Sequence, residues 1–188
     1  LHGFLALKSD LPHIAEGGET SPLVKGPAYG SRSGQNPAAG EDDWPTFRGD
    51  AMRSGHVDTD LPADIAEQWR RSLGGELTAP VVVGERVFVG SPELHQICCL
   101  DAADGDTIWR VVVDGPVDTP PTYDEGKLLC GTRAGSLYCI TAGEGELVWR
   151  RRVAPSSAKL VAFGHLASPW PLGGSPLVMD GSVFCVAG

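Results

Sequence analysis

Cys98 and Cys99 stand side by side. Joined, two neighbouring thiols make a strained disulfide ring; free, they pack as small hydrophobes. The packing reading has the better support. Cys99 precedes Leu100 as Cys139 precedes Ile140, 40 positions later, and one buried apolar strand position explains both. Cys130 and Cys185 in turn take the strand position that Val89 holds. Five cysteines are an odd number without the spacings of a disulfide framework. The five histidines are scattered without zinc spacing. Asp101 and Asp104 flank a turn and read as caps of its amides, with no second ligand type beside them. Arg150, Arg151 and Arg152 form a basic run; in a strand it splits between two faces and makes a solvated edge. No Gly-x-Ser-x-Gly, phosphate loop or His-Glu-x-x-His occurs. No catalytic residue and no metal site are expected.

The chain has 24 acidic residues against 15 basic ones, a net charge of -9. Phosphate contacts need clustered Lys and Arg, so a nucleic-acid partner is not expected. A polybasic membrane surface is excluded for the same reason. No stretch reaches the 18 apolar residues of a transmembrane helix. Hydrophobic residues make up 41%, enough to bury a core.

Three stretches must position whatever chemistry exists. Residues 1–43 are rich in Gly, Ser and Pro and read as lead-in or linker, including Val24 to Gly30 and Ser31 to Gly40. Leu1 to Leu7 has no basic residue before it and makes a poor signal peptide. Residues 44–67 open with Trp44-Pro45-Thr46-Phe47-Arg48-Gly49-Asp50, two aromatics suited to an extended segment pinned onto a core. Residues 68–188 repeat. Trp69, Trp109 and Trp149 recur every 40 residues, each followed by Arg, and Pro80 and Pro120 keep the same spacing. Each repeat holds short runs rich in Val, Ile, Leu and aromatics, separated by Gly- and Asp-rich turns, as in tight antiparallel hairpins.

Four short strands every 40 residues make a β-propeller blade. The fold expected is all-β: about two and a half four-stranded blades, an arc of a closed ring and therefore a piece of a longer protein. Gly105 and Gly145 each lie four residues before a Trp, where a positive φ serves the turn. Trp69, Trp109 and Trp149 are expected to lie across the gap to the next blade, with packing as their role. The third repeat is longer. Trp149 to Pro176 spans 27 residues where Trp69 to Pro80 spans 11, and the excess falls within 154–173. Insertions in repeat proteins emerge on one face, often the binding face. His165 and Trp170 are its candidate contact residues, and a protein or small ligand at that face is the candidate partner.

Leu100-Asp101-Ala102-Ala103-Asp104-Gly105-Asp106-Thr107-Ile108-Trp109 resembles the repeat of pyrroloquinoline-quinone (PQQ)-type β-propellers, and Gly145-Glu146-Leu147-Val148-Trp149 resembles its second half. Asp43 to Asp50 and Trp170 to Leu177 are similar to segments of the same group. The resemblance implies an eight-bladed ring in an exported, envelope-associated bacterial protein. It implies no single activity, since the repeat serves quinone-dependent dehydrogenases and non-enzymatic scaffolds such as the outer-membrane assembly lipoprotein. A dehydrogenase of this class needs a Ca²⁺ site of carboxylate and amide oxygens. The one asparagine, Asn36, lies in the lead-in. Some members carry a ring of two adjacent cysteines above the quinone, the alternative role for Cys98 and Cys99. The leading expectation is a non-catalytic scaffold that presents loops, with no cofactor in this chain. The alternative is part of a dehydrogenase whose PQQ and Ca²⁺ ligands lie in other blades.

Overall fold

The computed structural model describes residues 23–31, 39–59, 62–162 and 164–188. Leu1 to Leu7, Asn36 and Phe163 lie outside the described residues. Within them the strands are β1 (Val24–Lys25), β2 (Val81–Val83), β3 (Arg86–Ser91), β4 (Gln96–Asp101) and β5 (Thr107–Val112). They continue with β6 (Thr122–Asp124), β7 (Lys127–Gly131), β8 (Ser136–Thr141) and β9 (Leu147–Arg152). The last are β10 (Leu160–Ala162), β11 (His165–Ala167), β12 (Leu177–Met179) and β13 (Ser182–Phe184).

Strands β2 to β5 form one antiparallel meander and β6 to β9 a second, each the length of one sequence repeat. The likeness extends to irregularities. The register shifts between Cys99 and Leu100 in the first blade and between Cys139 and Ile140 in the second. Strands β12 and β13 pair as a hairpin that repeats β2–β3 and β6–β7, the first half of a third blade. The chain is thus all-β, a partial propeller of two complete blades and the opening of a third.

Alternation along each strand sends its side chains to opposite faces, so each blade contributes to two cores. The largest lies between the two complete blades. It joins Phe88, Ile97 and Cys99 of the first to Leu128, Cys130 and Ile140 of the second. A second cluster, Leu73, Val89, Cys98 and Leu100, lies on the other side of the first blade. A third, Ala28, Leu129, Cys139 and Val148, faces the β12–β13 side, where Val178 packs against it.

Residues 23–31 differ from the loop expected for them. Val24 and Lys25 pair antiparallel with Arg150 and Trp149, making β1 a fifth, outermost strand of the second blade. Gly26 permits this, because a Cβ there would collide with the backbone carbonyl of Leu147. Gly26 N donates to Val148 O at 2.9 Å, and Ala28 is buried beyond it. The Arg150 to Arg152 run is therefore not a bare edge. Arg150 is half-buried over the Tyr138 ring at 5.8 Å, while Arg151 and Arg152 stay exposed.

The lead-in from Asp43 crosses the innermost strands. Trp44 and Val82 exchange both backbone hydrogen bonds, at 2.7 and 3.0 Å, and Tyr123 N donates to Pro45 O at 2.8 Å. Thr46 Oγ1 meets Thr122 Oγ1 at 2.9 Å, and Thr122 Oγ1 donates to Pro176 O at 2.6 Å. One extended segment thus ties all three blades at their inner edges. The two aromatics divide the work unequally. Trp44 packs on Gly49, whereas Phe47 is exposed and lies under Arg53.

Candidate functional site

Two of the recurring indoles lie on the β-turn of the blade that follows them. Trp69 precedes the first blade and lies on its β4–β5 turn. Its Nε1 donates to Ala102 O at 2.8 Å, and its ring covers Gly105, where a Cβ would come within 2.5 Å of the ring. Trp109 repeats this one blade on, donating to Ala142 O at 3.1 Å and covering Gly145 with a 2.8 Å limit. Both glycines have positive φ, 74° and 73°. The four-residue Gly-to-Trp spacing is therefore shared between two contacts: Gly105 receives Trp69, and Trp109 travels on to Gly145. Arg86 adds to the second junction, with Nη1 donating to Gly143 O at 2.8 Å and Ala142 O at 3.2 Å. Trp149 is half-buried beside Leu129, Cys139 and Val148, next to Val178.

The adjacent cysteines do not face each other. Cys98 joins Leu73, Val89 and Leu100, whereas Cys99 joins the core between the two complete blades. All five cysteines are free thiols. Burial pushes the Cys99 thiol up to about 11 and the Cys139 thiol to about 12, and raises Cys98, Cys130 and Cys185 as well. A thiol so held is protonated and unreactive at neutral pH.

The insertion 154–173 contains the β10–β11 hairpin, which the residue pattern did not announce. Both of its ends are fastened to one turn of the second blade. Val153 N and Ala154 N donate to Gly135 O at 2.8 and 3.0 Å. On the return, Ser168 N donates to Arg133 O at 2.8 Å and Leu172 N to Thr132 O at 3.2 Å. Leu172 is buried against Gly131, where a Cβ would come within 2.7 Å of it. Arg133 forms an ion pair with Asp118 in the preceding loop. His165 and Trp170 are not brought together. His165 is exposed on β11, while Trp170 is half-buried at the base, its backbone N donating to Ser168 Oγ at 3.1 Å. The exposed apolar side chains are instead Leu160, Val161 and Leu166, the last two direct partners across the hairpin. Three-residue strands with two residues between them leave too short a pattern for that hairpin to be read from sequence.

Two cavities lie at the opposite ends of the strands, under the lead-in. One of about 410 Å³ is lined by Asp43, Arg86, Phe88 and Tyr123 among others. One of about 310 Å³ is lined by Asp50, Thr122, Asp124 and Glu125 among others. Asp43 is already engaged, accepting from Gly40 N at 2.7 Å and Gly84 N at 2.8 Å. Burial, with Glu125 adding to it, raises the Asp124 carboxyl. Among the described residues no three His, Cys, Asp or Glu side chains converge as ion ligands. The opposed thiols of Cys98 and Cys99 cannot cap a quinone. No described helix is long and apolar enough to cross a membrane.

Known proteins locate this architecture. The quinohemoprotein alcohol dehydrogenase ADHIIG from Pseudomonas putida superposes with a TM-score of 0.64 at 18% identity, over 79% of this chain and 23% of that one. The quinohemoprotein alcohol dehydrogenase from Comamonas testosteroni superposes with a TM-score of 0.61 at 20% identity, over 78% and 23%. BamB from Moraxella catarrhalis aligns with a TM-score of 0.49 at 21% identity, over 65% of this chain and 38% of that one. The chain thus spans well under half the length of each of these proteins. No curated protein matches it. Residues 53–182 match the family model described as outer membrane protein assembly factor BamB. That range covers most of the chain, and the protein belongs to this family of PQQ-like propeller repeats.

Proposed function

We propose that the protein is a non-catalytic propeller scaffold of the bacterial envelope that holds a protein partner on the face carrying the 154–173 insertion. The observation that supports this reading is the mounting of the β10–β11 hairpin. Four backbone hydrogen bonds fasten both ends of the insertion to the Thr132–Gly135 turn, while Val161 and Leu166 are exposed. Loops set on a rigid scaffold are where repeat proteins place recognition. The family description, an assembly factor of the outer membrane, agrees with a protein partner and with a place outside the cytoplasm. In this reading the blades form part of a closed eight-bladed ring, and the remaining blades extend the same surface.

A photo-crosslinking side chain placed at Val161 tests it in cells. A discrete protein adduct is expected there and none from Glu144, which sits at the opposite end of the second blade. Equal labelling at both positions would overturn the reading. The alternative, a piece of a PQQ-dependent dehydrogenase, predicts that the purified protein gains thermal stability with PQQ and Ca²⁺ and reduces a dye with alcohols. Either result would replace the scaffold with an enzyme.

A further inference from the structure

The chain carries 24 acidic residues against 15 basic ones, yet from Leu147 to Met179 it has no Asp or Glu at all. The same stretch holds Arg150, Arg151, Arg152 and Lys159. Arg151, Arg152 and Lys159 are exposed, and Arg152 ends β9 just before the insertion leaves the blade. A basic, acid-free projection on an acidic protein is a local reversal of sign.

The hairpin adds two features. Among the described residues strands β10 and β11 pair with each other and with no other strand, which leaves each an outer edge of backbone groups for pairing. Val161 and Leu166 are a cross-strand pair exposed to 75% and 62%, while Ala167 at the base is buried. Lys159 directly precedes β10, two residues from Val161. A lysine alone at an edge often serves to prevent pairing. Here it borders an apolar pair, and Arg151 and Arg152 lie where the insertion begins.

We infer that the β10–β11 hairpin docks an extended acidic segment of a partner protein, which adds as a strand at the hairpin edge. Added along β10, such a strand would set one apolar side chain beside Val161, extending the Val161–Leu166 pair by one strand, and its carboxylates would meet Lys159 and Arg152. Backbone hydrogen bonds supply affinity in strand addition, and alternate side chains supply selection. The opposite charges steer the encounter. This inference rests on the scaffold reading and names the chemistry of its partner.

A short synthetic peptide alternating glutamate with valine is the probe, labelled for fluorescence anisotropy with the whole protein. Controls are a peptide alternating lysine with valine, and one with the acidic composition in two blocks. Vesicles containing phosphatidylglycerol provide a further arm. The alternating acidic peptide is expected to bind, more weakly at high salt. Affinity should fall roughly tenfold or more in Lys159→Glu and Arg152→Glu, because like charges then face each other. Both positions are exposed, and unchanged thermal melts would show that the fold persists. Equal binding of the block or lysine peptide, no binding of any peptide, or binding to vesicles alone would each overturn the inference. Adducts at Val161 in cells without acidic-peptide binding would leave the scaffold standing and remove this partner chemistry.

Discussion

Gly145 sits at φ 73° with the Trp109 ring 2.8 Å from where a Cβ would be. Gly145→Ala therefore meets a backbone penalty and a clash together, and should cost about 2 to 4 kcal/mol in urea melts. Trp109→Ala removes the ring from the same contact and should cost about 3 to 5 kcal/mol. Trp109→Phe keeps most of the apolar area but loses the 3.1 Å bond to Ala142 O, a loss of about 1 kcal/mol. A Gly145→Ala variant as stable as the parent would show that the indole does not bear on this turn. The thiols give a second residue-level prediction. Cys99 and Cys139 titrate near 11 and 12 when folded, above their ordinary value of 9.0, because burial disfavours the thiolate. Unfolded chains ionise first, so this contribution is whole below about pH 9 and drains away as pH rises toward 11 to 12. Denaturation midpoints should fall between pH 8 and pH 10.5, and less steeply in Cys99→Val. A flat pH profile over that range would contradict the burial.

Strand β1 shows what a local reading of sequence misses. Strands β2 to β9 were legible because each is a run of Val, Ile, Leu or aromatic residues bounded by Gly and Asp, and because the pattern returns every 40 residues. Val24–Lys25 has neither signal. Two residues make no alternation, and the pairing partner is Trp149–Arg150, far along the chain. The β10–β11 hairpin is equally silent in the sequence, whereas the excess length that houses it shows in the repeat spacing. At the candidate site residue type points to His165 and Trp170, whereas exposure is greatest among the hairpin's apolar side chains at Val161 and Leu166, a property of packing that no pattern of types contains. Strand β1 also has a sharp test. A side chain at Gly26 would strike the Leu147 carbonyl, so Gly26→Val should peel β1 from β9 and expose the bond after Lys25. Trypsin should cut there several-fold faster than in the parent, while the rest of the second blade resists. Unchanged cleavage would mean that β1 is not held by that contact.

Stacked blades share faces, so stability is apportioned by interface rather than by residue. The core between the two complete blades is closed on both sides and contains Phe88, Ile97, Leu128 and Ile140, all fully buried. Among the described residues the β12–β13 hairpin is less enclosed: Met179, Val183 and Phe184 are exposed, and it is tied to the second blade through Val178, the Thr122–Pro176 bond and the Ser175–Pro120 bond. The lead-in across the inner edges couples the blades at their narrow end and leaves their outer strands free to open separately. Amide exchange measures that gradient, because local opening costs less where fewer apolar contacts are lost. Amides of β3, β4, β7 and β8 should exchange last and together, since they border one core. Those of β12 and β13 should exchange first, and β10–β11 should exchange early except at Ser168 and Leu172, whose bonds to the Thr132–Arg133 turn anchor the insertion. Binding of an acidic strand to the hairpin would slow exchange in β10 and β11 without touching β4, because the added hydrogen bonds form at the edge and not in the core. Protection of β12–β13 equal to that of β8 would mean that the blades unfold as one unit and that the interface picture is wrong.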